Sequence, residues 1–251
     1  MDDFHSLFIR GISLKRDRIP SFSVYPFRLP AVSALDEVRF SKPVTFFVGE
    51  NGSGKSTILE AIASSYGFNP EGGTRNFNFS SYQSHSNLDD YLTVIKGVFR
   101  PEDGFFLRAE SFYNVASEIE KLDMDGFNGK LIDSYGGVSL HEQSHGESFM
   151  SLFLHKFQGN SLYILDEPEA ALSPARQLTM IARMHELVRQ GCQFIIATHS
   201  PIIMAYPAAE IYTLNEEGYS KVSYKETEHY QITKAFLDEP NRMLNILLEE
   251  E

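Results

Sequence analysis

Long apolar runs are missing from this chain. No stretch of 18 apolar residues occurs, so nothing in it is suited to cross a bilayer as a helix. Cysteine is almost absent: Cys192 stands alone beside the run QFIIAT. A lone cysteine excludes an internal disulfide, and the apolar neighbours predict a buried, inert thiol in a reducing compartment. Blocks of basic residues are also lacking, and the net charge is −12. Unaided grip on a nucleic-acid backbone is therefore not favoured, although an acidic chain can carry a local basic patch. The one such cluster, Lys15, Arg16, Asp17 and Arg18, reads as a solvated loop. The start, MDDFHSLFIR, lacks the basic-then-apolar order of a secretory leader. No repeat, sustained heptad pattern or flexible linker interrupts the chain. These absences point to a soluble, cytoplasmic protein with no membrane partner.

What is present is enough for a packed core. The 251 residues are 42% hydrophobic and 13% aromatic, a globular composition. FHSLFIRGISL (4–14) reads as a strand, and the proline-broken stretch after it is not helical. PVTFFVG (43–49), SLYILDEP (161–168) and CQFIIATHSP (192–201) are apolar runs of the kind a buried parallel strand shows. KSTILEAIASSYG (55–67) and PARQLTMIARMHELVRQG (174–191) have helical spacing, with Gly67 and Gly191 as stops and Pro174 as a start. Residues 68–90 read as loop, 91–100 and 104–111 as strands, and 113–122 as a short helix. EIYTLNEEGYSKVSYKE reads as a hairpin, and the tail as helical with an acidic end. This alternation predicts an α/β fold with a largely parallel sheet.

GENGSGKS (49–56) fits the pattern G-x-x-x-x-G-K-[ST], placed between a buried strand and an amphipathic helix. Its glycines let Asn51, Gly52, Ser53 and Gly54 turn backbone N–H groups toward one point, and the helix behind adds its positive end. Lys55 supplies a mobile charge for β- and γ-phosphates. The Ser56 hydroxyl is a hard ligand suited to Mg²⁺, and Thr57 follows it.

LYILDEP puts Asp166 and Glu167 where an apolar strand ends. In a parallel sheet that edge lies beside the phosphate loop. Asp166 can hold magnesium or its waters, and Glu167 can take a proton from an attacking water. Asp-Glu-Pro is also ordinary punctuation at a strand end; the phosphate loop tips the reading toward chemistry. The third buried strand ends in ATHSP and brings His199 to the same edge, as a candidate for the γ-phosphate. QSHGES (143–148) opens another amphipathic helix, running to about Phe157. There Ser144 and Glu147 have the spacing of a capping box.

GENGSGKST, QSHGES, LDEPEAALSP and ATHSP, in that order, resemble the ATP-binding-cassette ATPases. Ser144 precedes Asp166 by 22 residues and His199 follows it by 33, both family-like. EPEAALSP is similar to the soluble AAA-type subgroup. That subgroup includes the ATPase parts of overcoming-lysogeny-defect proteins and phage-defence or toxin-linked ATPases; SMC heads share its architecture. With only about 85 residues between the phosphate loop and QSHGES, the chain resembles a free-standing head rather than a head split by a coiled coil.

The resemblance implies a P-loop fold of the ABC type. It has a mainly parallel core, an antiparallel N-terminal β portion and a helical signature lobe. The expected division is one ATPase domain over 1–251, with a RecA-like lobe at about 1–85 and 159–251 and the signature lobe at about 86–158. It implies Mg-ATP and a homodimer or higher homo-oligomer through shared ATP sites. Ser144, Gly146 and Glu147 of one chain would then face the γ-phosphate held by the other. His145 stands where the family has a glycine, and Ser173 where it has an aspartate. Gln83 is the candidate for the family's magnesium-loop glutamine. Tyr25, 24 residues before Gly49, is the candidate for stacking on adenine, with Phe22 and Phe27 competing. The implied activity is an ATP-driven switch read by a protein effector, in phage defence or a toxin-linked system. Two alternatives are a nucleotide-gated sequestering scaffold with little hydrolysis and the ATP-binding subunit of a transporter.

Overall fold

A computed structural model describes residues 7–74, 86–108 and 144–248, together with residues 116, 117, 119, 137 and 141. Gln83 and most of the segment before the signature helix lie outside the described residues.

β1 (Ile9–Leu14) is the middle strand of a three-stranded antiparallel sheet, flanked by β2 (Glu37–Arg39) and, from later in the chain, by Leu92–Lys96. β3 (Val44–Gly49) is buried at all six residues and leads through the phosphate loop into α1 (Lys55–Tyr66). α1 ends where Gly67 turns left-handed and its N–H reaches back to Ala63 and Ser64. β4 (Leu92–Lys96) and β5 (Asp103–Arg108) follow. α2 (His145–Ser151) continues as a π-helical turn over Leu152–Lys156, so its helical run stops one residue short of Phe157. β6 (Ser161–Asp166), α3 (Pro174–Arg189) and β7 (Gln193–Ala197) come next. β8 (Glu210–Asn215) and β9 (Gly218–Val222) form the expected hairpin, and α4 (Glu228–Asp238) and α5 (Pro240–Leu248) close the described chain.

The main sheet has the order β5-β6-β7-β3-β8-β9, parallel as far as β8 and antiparallel at β9. It separates two cores. Phe46, Val48, Tyr163, Phe194 and Ile196 face α2 and α3. Phe47, Ile164 and Ile195 face α1 and the antiparallel sheet. Neighbouring residues thus pack into opposite cores, which is why these strands read as unbroken apolar runs instead of alternating ones.

The lobe boundary expected near residue 86 does not follow the sheets. β4 pairs with β1, and β5 pairs with β6, so residues up to Arg108 belong with the nucleotide-side sheets. The reason is pairing across long sequence separations, which strand-like runs do not announce. Two local expectations are also refined. Arg16 is not merely solvated: its guanidinium donates to Ser33 O and Leu35 O at 2.7 and 3.0 Å. Cys192 is buried as expected; burial pushes its thiol up to about 11.

Candidate nucleotide site

The parallel register sets the carboxyl ends of the strands side by side. Arg108 is level with Asp166, Asp166 with Ala197, and Ala197 with Phe47, two residues before Gly49. Lys55, Asp166, Glu167 and His199 therefore meet at one edge although up to 144 residues separate them.

The phosphate loop turns through Gly54, whose φ of +106° is a left-handed conformation that residues with a Cβ rarely adopt. Lys55 is 3% exposed. Its Nζ donates to the carbonyls of Gly49 and Glu50, both at 2.9 Å. Burial lowers its pKa, against the opposing pull of Glu167, Asp166 and Glu169. The ammonium is thus held by weak neutral acceptors within the loop, and phosphate oxygens are stronger partners.

Ser56 Oγ donates to Asp166 Oδ1 at 3.0 Å. Among the described residues no group of three His, Cys, Asp or Glu side chains is arranged to hold a metal. One hydroxyl and one carboxylate nevertheless suit Mg²⁺, which keeps waters and draws further ligands from substrate phosphates. Lys55, Ser56, Thr57, Asn51, Gly52, Gly54 and Glu167 line a cleft of about 260 Å³ with Leu29 and Tyr25. Ser53 lines a larger depression of about 780 Å³, shared with Asn51, Gly52 and His229. Of the two, only the smaller cleft includes Lys55 and Ser56.

Glu167 sits at φ +51°, ψ +53°, unusual for a residue with a side chain. Its N–H donates to Ala197 O at 2.9 Å. That turn swings its carboxylate toward His199, whose Nε2 lies 3.3 Å from Glu167 Oε1. This nitrogen is buried without a well-aligned hydrogen bond. The His199 N–H donates to the Glu169 carboxylate.

Of the three aromatic candidates, Phe27 is core, 1% exposed and edge-on to Tyr91. Phe22 is covered by the Arg16 guanidinium, 4.7 Å from its ring. Tyr25 is 55% exposed, with its hydroxyl 3.5 Å from Thr57 Oγ1. Only Tyr25 is both free to stack and beside the cleft.

The signature residues are elsewhere. The Ser144 N–H and hydroxyl both donate to Glu147 Oε2, at 3.0 and 2.6 Å. These bonds, the Ser144 hydroxyl first, hold the Glu147 carboxyl below its ordinary value. Gly146 packs against the turn after β6: a Cβ there would come within 2.6 Å of Ala171 O and 2.4 Å of Arg176 Nη1. Arg176 also approaches Glu147 at 3.4 Å. None of Ser144, Gly146 and Glu147 lines the cleft of their own chain.

Four neighbours escaped the sequence reading. Arg108 lies 3.9 Å from Asp166 and pairs with the buried Glu60 at 2.7 Å. Gln177 accepts from the Ser200 hydroxyl at 2.5 Å and donates to Leu172 O at 3.1 Å, bracing the His199 segment against the turn after β6. Glu169 holds the His199 backbone, and the His229 ring meets the His199 ring. EPEAALS hinted at Glu169; nothing local marked the other three.

A protein-family match described as "AAA domain" spans residues 32–162, over half of the chain. The chain belongs to the AAA-domain family of P-loop ATPases. A second match, residues 132–205, carries the description "AAA domain, putative AbiEii toxin, Type IV TA system". Among curated relatives, the "Putative ABC transporter ATP-binding protein" of Caldanaerobacter subterraneus subsp. tengcongensis is 26% identical, over 76% of this chain and 85% of that one. The "Ribose import ATP-binding protein RbsA" of Yersinia pestis is 25% identical over 75% of this chain, which spans only 38% of that protein. Solved structures with similarity include an ATP-binding cassette of an ABC transporter, 14% identical over 94% of this chain and 98% of that one, with a TM-score of 0.49. The SMC head domain from Thermotoga maritima is 16% identical over 86% of this chain and 99% of that one, with a TM-score of 0.43. Among the described residues of this ATPase, no helix is long and apolar enough to cross a membrane.

Proposed function

We propose that the protein binds Mg-ATP, pairs head to head with a second copy, and uses binding and hydrolysis as a switch for a protein effector. The observation that carries the reading is the placement of Glu167 and His199 across from Lys55, Ser56 and Asp166 at one strand edge. Lys55 leaves its two loop carbonyls and takes phosphate oxygens. Ser56 and Asp166 would hold Mg²⁺, which would supply positive charge against the phosphates. Glu167 accepts a proton from water as its oxygen attacks the γ-phosphorus and the bond to ADP breaks. His199 Nε2 donates toward the γ-phosphate, and Tyr25 stacks on adenine.

The shared-site part rests on the signature helix. Ser144 and Glu147 at its amino end are exposed, Gly146 is packed against the turn after β6, and none of the three lines the cleft of its own chain. A second copy is the partner for which such residues make sense. The match whose description names a putative AbiEii toxin and a Type IV TA system supports a toxin-linked role; phage defence and a cytoplasmic setting belong to the same proposal. Relatives named for sugar import favour a second reading, a transporter's ATP-binding subunit; copurification with a membrane permease would establish it.

Glu167→Gln is the test. Phosphate release falls by more than about a hundred-fold, while ATP accumulates on a dimer seen by light scattering. Turnover at the wild-type rate would sink the assignment.

A further inference from the structure

His199 has two ring nitrogens, and the proposed mechanism uses one. Nε2 faces Glu167 at 3.3 Å. The other, Nδ1, lies 3.0 Å from Nε2 of His229, with the ring planes tilted by 58°. His229 belongs to none of the motifs that mark this family in the chain. It stands in the first turn of α4, thirty residues after His199. Thr227, 1% exposed, caps that turn by accepting from the Tyr230 N–H at 3.4 Å and donating to Tyr224 O at 2.8 Å. Tyr230 packs on Tyr224 with centroids 4.7 Å apart. His229 therefore sits on a fixed platform although no residue within α4 is fully buried.

A hydrogen on His199 Nε2 suits its place 3.3 Å from Glu167 Oε1 and its proposed role at the γ-phosphate, although the contact to Glu167 is not aligned as a hydrogen bond. A neutral His199 then has a bare Nδ1, and the His229 Nε2–H must donate to it. The groups around His229 favour its neutral form: burial first, then His199, lower its pKa, Lys55 adds to this, and Glu228 and Glu50 oppose it.

We propose that His229 is a positioning residue, whose hydrogen bond to Nδ1 holds His199 in the Nε2–H tautomer and aims that N–H at Glu167 and the γ-phosphate. This rests on the ATPase reading above. It adds to that reading a link between the catalytic edge and α4, through a residue outside the cleft that includes Lys55 and Ser56.

The test combines turnover, binding and side-chain NMR on the full chain. His229→Ala slows hydrolysis at saturating ATP by roughly ten- to hundred-fold, whereas affinity for a fluorescent ATP analogue stays within about three-fold, since uniform binding is untouched. His229→Gln, whose amide can donate to Nδ1, restores most of the rate. In a His199→Ala background, adding His229→Ala costs nothing more, because its target is gone. Imidazole ¹⁵N spectra of the nucleotide-free protein show His199 in the Nε2–H form, and His229→Ala shifts it toward a tautomer mixture. An unchanged His199 spectrum in a folded His229→Ala variant overturns the proposal even if turnover is too slow to measure. A further loss in the double variant overturns it equally, as that would mark a merely structural role. The two readings fail separately: wild-type turnover in Glu167→Gln removes Glu167 as the base of the proposed mechanism, whereas an inert Glu167→Gln beside a fully active His229→Ala removes only this inference.

Discussion

The three central strands and the two C-terminal helices are built by opposite rules. In β3, β6 and β7 every residue is buried. In α4 and α5 none is fully buried, and Ile232, Leu237, Ile246, Leu247 and Leu248 are all more than half exposed. The strands are fixed by packing on both faces, so the residues at their ends are held to the register of the sheet. The helices, of 11 and 9 residues, are shorter than the length at which an isolated helix is stable in water. They rely on local devices: the Thr227 cap, and the Lys234–Asp238 and Arg242–Glu239 pairs at 2.5 and 3.0 Å. Such exposed pairs stabilise weakly. Chemistry that must be exact in position sits on the first kind of element, and His229 is the point where the second kind touches it.

The largest effect on stability should come from the strands. Phe194, the second residue of β7, is 0% exposed, 5.1 Å from the Tyr163 ring and 6.3 Å from that of Phe153. Phe194→Ala is expected to cost about 3–5 kcal/mol in urea unfolding, from lost burial plus the cavity left behind. A cost below about 1 kcal/mol, outside that range, would mean that the sheet repacks freely and does not hold its ends in register.

That rigidity also explains what could be read from residues alone. β3, β6 and β7 were legible because burial on both faces leaves continuous apolar runs. GENGSGKS was legible because a phosphate cradle demands glycine, lysine and a hydroxyl at fixed spacing. Arg108 was not. Its place beside Asp166 depends on β5 joining the edge of the parallel sheet, while the similar run of β4 joins the other sheet. His229 was invisible for the same reason: a lone histidine in EHYQ gains meaning only when the hairpin β8–β9 returns the chain to the catalytic edge. Tyr25 was singled out by its distance from the loop, but that its ring is exposed beside the cleft while Phe27 is buried is visible only in the fold.

An intermediate effect is expected at the signature helix, which stands between the two extremes. α2 docks on the turn after β6 through the missing side chain of Gly146. Gly146→Ala relieves the helix of its glycine but drives a Cβ into Ala171 O. The Arg176 contact can swing away; the carbonyl cannot. A net loss of about 1–2 kcal/mol is expected, the overpacking cost less the helix propensity gained. The loss should be present in dilute protein without nucleotide, because the clash lies within one chain. A variant of unchanged stability that fails only in turnover would assign Gly146 wholly to the shared site.

The smallest effect is expected at the chain's end, and it tests the comparison most directly. Leu247 and Leu248 are 70% and 72% exposed. If the helix pair is uncovered in solution, Leu247→Ser and Leu248→Ser each change stability by no more than about 0.5 kcal/mol. They would also remove apolar surface from solvent contact, which slightly favours the variants in both the folded and the unfolded state and so cancels. The measurement is urea unfolding at two protein concentrations ten-fold apart. A loss of more than about 1 kcal/mol that grows with concentration would show the leucines buried against another chain, since only association makes stability depend on concentration. The contrast between strands and helices would then belong to the isolated chain and not to its working state. His229 would become the residue through which that association reaches His199.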